Sequence, residues 1–587
     1  MDYFRGEAAT LLERSLAQAF PGLALPPVGA TDLAVPPDPA MGDLAFPCFP
    51  LAKLVRRSPQ AIAQALQEQI AAHRPAWLMG VEALRGYLNL RLRPETVAQQ
   101  VLQSVAAAGP HYGASALGQG RTVVVEYSSP NIAKPFSIGH IRSTVIGHSL
   151  ARIHQFLGYK VVRINHLGDW GTQFGKLLVA YKAWGHDRDG KPLEPTIERL
   201  LELYIRFHEE AESKPDLEDQ ARHWFRRLEQ GDPEAVSLWQ EFRAVSLQEF
   251  RRVYDQLGVG FDAYVGESFY SDQLEDVIRQ AQAAGITQLS QGALIVPLDD
   301  VGLPPCLLQK SDGATLYATR DLAAAIYRFR TYHFDRMFYV VGAPQALHFQ
   351  QIFAVLRKMG YDWVDRCRHV PFGVIRFGDQ VVSTRRGNLV FLEDVLNRAV
   401  SLTSQIIAEK NPDLPNKEEV ARQVGIGAVI FADLRHGRLN DVDFSWEDVL
   451  NFDGATGPYV QYTQARAASI LRKSGLGRQD EGLTGAAGTA GTAGAAGIQP
   501  GGEEGGNGAA LSTPAPVSVP QVRDADFSLL TGQEEFALLK TLGDFPAVIR
   551  QAAEQAEPSL VARYLLDLCH LFNSYYHAER VLGQPRD

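Results

Sequence analysis

Apolar residues at Ile141, Val145, Ile146, Leu150, Ile153, Phe156 and Leu157 recur at the spacing of one helix face. The run "RTVVVEY" upstream is β-branched and continuous, which predicts a buried strand. "KVVRINHLGD" downstream predicts a second strand. Strand, glycine-bearing turn, helix and strand make a βαβ unit, and such a unit implies a parallel sheet. A second βα set is carried by "ATRDLAAAIYRFR", "RMFYVVGAPQALHFQQIFAVLRKMG" and "HVPFGVIRF". Residues 176–258 between them are amphipathic and charged, as in "IERLLELYIRFHEEAE", and predict a helical insertion into the α/β domain.

The flanks follow other patterns. Residues 1–113 form a first unit. In it, "LAKLVRRSPQAIAQALQEQI" predicts a helix restarted by Ser58 as cap and Pro59 in its first turn. "YLNLRLRPE" then alternates like a strand. From about 415 the periodicity is helical to the end. The exception is the Gly/Ala/Thr-rich stretch 482–518, whose composition cannot bury a core and predicts a flexible loop interrupting the helical region.

Composition narrows the class. At 587 residues the chain is expected to hold two to four domains. No segment has the apolar length of a membrane span, and "MDYFRGEAATLLERSLAQAF" lacks the plan of a signal peptide. Cys48, Cys306, Cys367 and Cys569 are scattered without a CxxC pair, which argues against a structural zinc site and a disulfide framework. A reducing cytoplasm fits, with no metal site, no membrane and no DNA partner expected. The net charge of −10 disfavours a generally basic nucleic-acid binder, so any RNA contact must use local patches.

Three stretches carry candidate chemistry. "SSPNIAKPFSIGHIRSTVIG" places Gly139 and His140 where a strand turns into a helix. Helix N-termini offer unpaired N–H groups, glycine allows close approach, and Lys134 adds positive charge; together these suit phosphate. "NHLGDWGTQFG" follows the second strand, so His140 and His166 are expected to face one crevice. In "LYATRDLAAA", Tyr317 and Asp321 are four apart and share a helix face; Gln345 and His348 follow another strand. Glu126, Asn131, Tyr317, Asp321 and Gln345 make an acidic set rich in hydrogen-bond partners, suited to a planar guanidinium. Each stretch alone also fits plain structure: a surface histidine in a turn, a glycine loop over a packed Trp170, a capping aspartate.

Together with "VGAPQALHF" and "TGPYVQYTQARAASI", these stretches resemble the class I arginyl-tRNA synthetases, in order along nearly the whole chain. "SPNIAKP" combined with "NHLGDWGTQFG" is highly specific for that family. The resemblance implies a Rossmann-type α/β catalytic domain with helical insertions over 114–410, an N-terminal α+β domain over 1–113 that touches the tRNA elbow, and a C-terminal all-α anticodon-binding bundle over 411–587. It implies ATP, as its Mg2+ complex, L-arginine and tRNA(Arg) as substrates, formation of arginyl-adenylate with release of pyrophosphate, and transfer to the tRNA's terminal ribose. It implies that activation requires tRNA to be bound. A monomer is expected. Arginine binding falls to Glu126, Asn131, His166, Tyr317, Asp321 and Gln345, with Asp321 and Glu126 matching the substrate's guanidinium and α-amino charges. ATP binding falls to Ile138, Gly139, His140, His166, Gly168, Ser383, Arg385 and Arg386. The bundle would meet tRNA through Tyr459, Gln461, Tyr462 and Arg466.

The chain departs from the family pattern twice. The "HIGH" signature is Ser137-Ile138-Gly139-His140, and the "KMSKS" loop is "VVSTRRGN", without its lysines. A hydroxyl at 137 donates a hydrogen bond but carries no charge. Lys134 is the expected replacement cation, with Ser137, Gly139 and His140 completing the catalytic set. The second departure is the ending at "YYHAERVLGQPRD", where the family's bundle continues for further helices. Two other readings remain open on sequence: a HIGH-type nucleotidyl transferase acting without RNA, and a paralogue that binds arginine or RNA without ligating them. Arginine-dependent ATP–pyrophosphate exchange separates them.

Overall fold

A computed structural model describes residues 1–315, 317–377, 380–381, 390–452, 454–474, 522 and 525–579. The 482–518 stretch, Ser383, Arg385 and Arg386 lie outside the described residues.

The first unit is a three-stranded antiparallel sheet of β1 (Leu44–Pro47), β2 (Leu78–Leu84) and β3 (Tyr87–Leu92), in the order β1-β3-β2. Helices Asp2–Ala19, Pro59–Ala72 and Pro94–Ala108 accompany it. Ser58 caps the second of these by accepting the Ala61 N–H at 3.2 Å, and Pro59 fills the first turn. The hydrophobic core of this unit includes Leu539, which belongs to the late helix Gln533–Gln555. Pro546 within that helix has no N–H to give the carbonyl four residues back. The freed Leu542 carbonyl accepts from the Tyr112 hydroxyl at 3.0 Å, and the neighbouring Gly543 carbonyl accepts from the Met1 ammonium. Lys540 pairs with Asp43 at 2.8 Å across the same junction. The two ends of the chain therefore share a core, which sequence periodicity has no means of showing.

The central layer is a five-stranded, all-parallel sheet. Its strands are β4 (Thr122–Glu126), β5 (Lys160–Asn165), β6 (Ala263–Tyr264), β10 (Arg336–Gly342) and β11 (Cys367–Phe372), in the order β11-β10-β4-β5-β6. β4 is central because Val123, Val124 and Val125 are fully buried. The chain runs outward from β4 to β5 on one side and returns to β10 on the other. The carboxyl ends of β4 and β10 thus flank a switch point, where such sheets bind ligands. Helix Ile141–Phe156 lies against the sheet, and a Cβ at Gly147 would fall 2.1 Å from Tyr127 Cβ, so only glycine permits the approach. Helices Thr172–Trp184, Ile197–Ser213, Asp216–Glu229 and Pro233–Leu257 form the insertion between β5 and β6.

Two features depart from the sequence pattern. β7 (Gln288–Ser290), β8 (Ala293–Val296) and β9 (Cys306–Gln309) make a small antiparallel sheet between the two βα sets. The region after 415 is not wholly helical: β14 (Val442–Phe444) pairs in parallel with β12 (Ile375–Phe377), which also pairs with β13 (Gln380–Val381). Helices Leu392–Lys410, Lys417–Leu434, Gly457–Lys473, Gln533–Gln555 and Ser559–Ala578 complete the C-terminal region.

Helix Ile141–Phe156 carries two histidines whose burial has a measurable consequence. Burial pushes His148 and His154 down to about 4. The unfolded chain protonates them from its ordinary value of 6.5, while the folded chain does not. Stability from these groups is therefore fully present above 6.5 and falls toward pH 4, by about 1.4 kcal/mol per pH unit per histidine at most. The melting temperature should drop between pH 7 and pH 5. An acid-insensitive melting temperature would show that neither ring is buried neutral.

Candidate active site

The loop leaving β4 is held in strained backbone geometry. Ser128, Ser129 and Ala133 have φ of 69°, 49° and 58°, each costing about 1–3 kcal/mol for a residue with a Cβ. The strain is held by hydrogen bonds from all sides. Ser128 Oγ bonds the Tyr254 hydroxyl at 2.7 Å and Thr144 Oγ1 at 2.8 Å. The Ser128 N–H donates to Ser143 Oγ at 2.9 Å, and the Ala133 N–H to Ser246 Oγ at 2.8 Å. This path carries Asn131 across the second loop: the Ile132 N–H donates to the Gly168 carbonyl at 3.2 Å, and the Gly168 N–H to the Pro130 carbonyl at 3.1 Å. A Cβ at Gly168 would lie 1.9 Å from Asn131 Oδ1. Any side chain at 168 would displace the Asn131 amide from where it lies. The two polar loops form one unit.

The signature turn is next. The Ser137 N–H donates to His140 Nδ1 at 3.1 Å, while the Ser137 carbonyl already accepts the His140 N–H at 3.0 Å. Nδ1 also lies 3.1 Å from Ser137 Oγ and 3.2 Å from the Ser137 carbonyl, so the turn holds the ring through that nitrogen and leaves Nε2 outward. Burial pushes His140 down to about 4, the charge of Lys134 adding to the shift, so the ring is a neutral donor at physiological pH. Gly139 is exposed, and a Cβ there would meet only Ser137 Oγ, at 3.5 Å. Protein packing does not demand glycine at 139; a ligand lying on the turn would. Ile138 is fully buried and offers its backbone only. The Lys134 ammonium lies 5.2 Å from the ring centre of Tyr204, on the insertion helix Ile197–Ser213.

The chain leaving the second signature loop is joined to this turn. The Ile138 N–H donates to the Val390 carbonyl at 2.9 Å, and the Leu392 N–H to the Phe136 carbonyl at 2.9 Å. Behind the turn, Arg142 pairs with Asp433 at 2.8 Å and donates to the Asn440 carbonyl at 2.6 Å; both charged groups are buried. The signature helix is thereby fixed to helix Lys417–Leu434.

On the other side of β4 lie the residues expected for arginine. Tyr317 and Asp321 are one turn apart on helix Tyr317–Tyr332, and Tyr317 is 63% exposed. Asp321 Oδ2 accepts from His348 Nε2 at 2.6 Å. The His348 ring also meets the Tyr317 ring edge-on, with centroids 5.6 Å apart. His166 Nδ1 donates to the Val265 carbonyl at 3.2 Å, and its Nε2 stands 3.8 Å from Asp321 Oδ1. Gln345 is exposed just before helix Ala346–Lys358. Glu126 departs from expectation. It is buried and ion-paired with Arg328, itself 1% exposed, so its charge is matched within the protein before any substrate arrives.

Sequence patterns did not single out three members of this site. Arg328 lies within a helical stretch where any polar residue fits a solvated face. His348 was visible only as a residue following a strand. Glu267 carries no motif at all, yet burial pushes its carboxyl up to about 8, with Asp321 and Asp169 adding to the shift, so it holds a proton at neutral pH.

In the bundle, three of the four residues expected to meet tRNA spend polar atoms on packing. The Tyr459 hydroxyl bonds His570 Nδ1 and Asn573 Nδ2, each at 3.0 Å. Gln461 donates to the Gln423 carbonyl at 3.3 Å, and Arg466 donates to Asn573. Tyr462 is 52% exposed, with the Arg466 guanidinium 4.9 Å from its ring centre. Among the described residues, no cluster of three His, Cys, Asp or Glu side chains is placed to hold a metal ion, and no helix is long and apolar enough to cross a membrane.

Several known proteins similar to this chain are of one family. Residues 7–92 match the family model for the arginyl tRNA synthetase N-terminal domain, residues 101–446 that for the class I (R) tRNA synthetase catalytic domain, and residues 518–587 that for the DALR anticodon binding domain. An arginine–tRNA ligase of Clostridium perfringens is 46% identical over 551 residues, covering 94% of this chain and 89% of that protein. One from Halothermothrix orenii is 46% identical over 550 residues, with the same coverage of 94% and 89%. The solved structure of Thermus thermophilus arginyl-tRNA synthetase superposes with a TM-score of 0.73 at 27% identity, over 98% of this chain and 93% of that one.

Proposed function

The chain belongs to the class I arginyl-tRNA synthetases, which use ATP to attach arginine to tRNA(Arg) through an arginyl-adenylate, and from that premise we propose how its own residues divide the work. The observation that carries the assignment is Asp321. Its carboxylate is fixed on one oxygen by His348 and faces His166 Nε2 with the other. A carboxylate oriented in this way suits the N–H groups of a cationic side chain. Tyr317 supplies an exposed ring beside it, and Asn131 and Gln345 supply amides. Glu126, its charge already matched by Arg328, serves as an oriented hydrogen-bond acceptor.

ATP lies on the signature turn. The exposed backbone at Gly139 and the neutral His140 ring face its phosphates, and Ile138, whose N–H is held by the Val390 carbonyl, fixes the turn beneath them. His166 and Gly168 shape the wall between the two substrates, Gly168 by letting Asn131 cross it. The arginine carboxylate oxygen attacks the α-phosphorus in line, the bond to the β-phosphate oxygen breaks, and pyrophosphate leaves. Lys134 compensates the charge that develops on the leaving group, with Ser137 orienting the turn and Ser383, Arg385 and Arg386 contributing from the second loop. Mg2+ enters with ATP as part of the substrate. A hydroxyl of the tRNA's terminal ribose then attacks the carbonyl of the adenylate, and AMP leaves. The N-terminal unit meets the tRNA elbow, and the C-terminal bundle meets the anticodon arm with Tyr462 as its exposed aromatic surface. The enzyme acts as a cytoplasmic monomer.

Citrulline has nearly the shape of arginine but replaces the guanidinium with a neutral urea. Titration calorimetry with ATP and tRNA(Arg) present should show arginine bound and citrulline weaker by roughly a hundredfold or more, the cost of leaving the pocket's charge unmatched. Equal affinities would contradict a charge-reading pocket.

A further inference from the structure

We propose that His348 is a positioning residue for the arginine pocket: it fixes Asp321 Oδ2 and the Tyr317 ring together, so that Asp321 Oδ1 is presented with His166 Nε2 to the substrate cation. The inference rests on the reading of Asp321 as the arginine partner.

The geometry has three parts. His348 stands on helix Ala346–Lys358, an element separate from the helix that bears Tyr317 and Asp321. Its Nε2 donates to Asp321 Oδ2 at 2.6 Å, short for a nitrogen donor and typical of a bond to a charged oxygen. The same ring meets Tyr317 at 5.6 Å, so one imidazole holds both side chains of the shared helix face. On the far side, His166 Nε2 stands 3.8 Å from Asp321 Oδ1. The Val265 carbonyl engages His166 Nδ1 at 3.2 Å, so His166 Nε2 is turned toward Asp321 Oδ1 across the 3.8 Å gap. One NH2 group within hydrogen-bond reach of both would span that gap.

An aspartate without the His348 bond has two equivalent oxygens and free rotation about its terminal bond. It would still attract a cation, but it would have to be ordered on binding. His348 removes that freedom in advance and assigns one oxygen to the protein and one to the substrate. A guanidinium requires this more than a lone ammonium does, because its N–H groups are fixed in a plane. The role of His348 is therefore selective for arginine binding and leaves ATP binding and the chemical step alone.

The test is a double-mutant cycle on aminoacylation kinetics with tRNA(Arg). His348→Leu removes the donor at similar bulk; His348→Gln keeps an N–H near the Nε2 position. His348→Leu should raise the arginine KM by about tenfold or more, the usual weight of a hydrogen bond to a charged group, with kcat and the ATP KM within about twofold. His348→Gln should recover most of the loss. In an Asp321→Ala background, His348→Leu should change the arginine KM by less than about twofold. A wild-type KM in His348→Leu beside a raised KM in Asp321→Ala overturns this inference alone. Equal losses in kcat and ATP KM, with no recovery in His348→Gln, overturn it in favour of a purely structural ring. An unchanged KM in Asp321→Ala overturns the pocket reading and this inference with it.

Discussion

Asp321→Ala should raise the arginine KM by about two to three orders of magnitude and leave the ATP KM nearly unchanged. The size follows from removing one partner of a desolvated charge pair, which costs roughly 3–5 kcal/mol, because the substrate's cation is then left without its match. Asp321 is only partly exposed, and both of its oxygens face defined groups, so water does not readily replace it. Glu126 cannot take over, since it is committed to Arg328. Steady-state kinetics at saturating ATP and tRNA give the split between KM and kcat directly. An unchanged arginine KM would remove Asp321 from the pocket.

Lys134→Ala lowers kcat for adenylate formation by about 10²–10³ with little change in arginine KM, because a preorganised donor aimed at developing charge acts mainly in the transition state. The second signature loop has no lysine, and position 137 is serine, so the usual cations of the signatures are missing. Lys134 lies close enough to His140 to depress its protonation and rests against Tyr204 on the insertion helix. That contact helps to orient the ammonium. Lys134→Arg should rescue only partly, since a planar fork does not replace a point charge. Arg385→Ala and Arg386→Ala should have smaller effects. A near-normal kcat in Lys134→Ala, beside a collapse in either arginine variant, would move the charge into the loop.

The elements that position this site were legible because their causes are local. The β-branched run at Thr122–Glu126, the glycine turn at Gly139 and the helical period after Ile141 each follow from neighbours in sequence. So does the one-turn spacing of Tyr317 and Asp321. What stayed hidden depends on contacts across the fold. The Glu126–Arg328 pair joins a strand end to a distant helix, and no periodicity marks it. His348 gains its meaning only where a second helix meets Asp321. The contact of Gly168 with the Asn131 amide likewise joins two loops that are distant in sequence. The hairpin at β7 and β8 turns through Gln291 and Gly292, both at positive φ, where Asn-Gly or Asp-Gly is the usual signal. β14 is three residues long, too short to break a helical pattern.

The most direct measurement is ATP–pyrophosphate exchange with tRNA(Arg) present and absent, across single amino acids. Exchange should depend on arginine, should be silent with lysine and citrulline, and should require the tRNA. Exchange supported by another amino acid, or none with arginine, ATP and tRNA(Arg) all present, would contradict the site described for this chain.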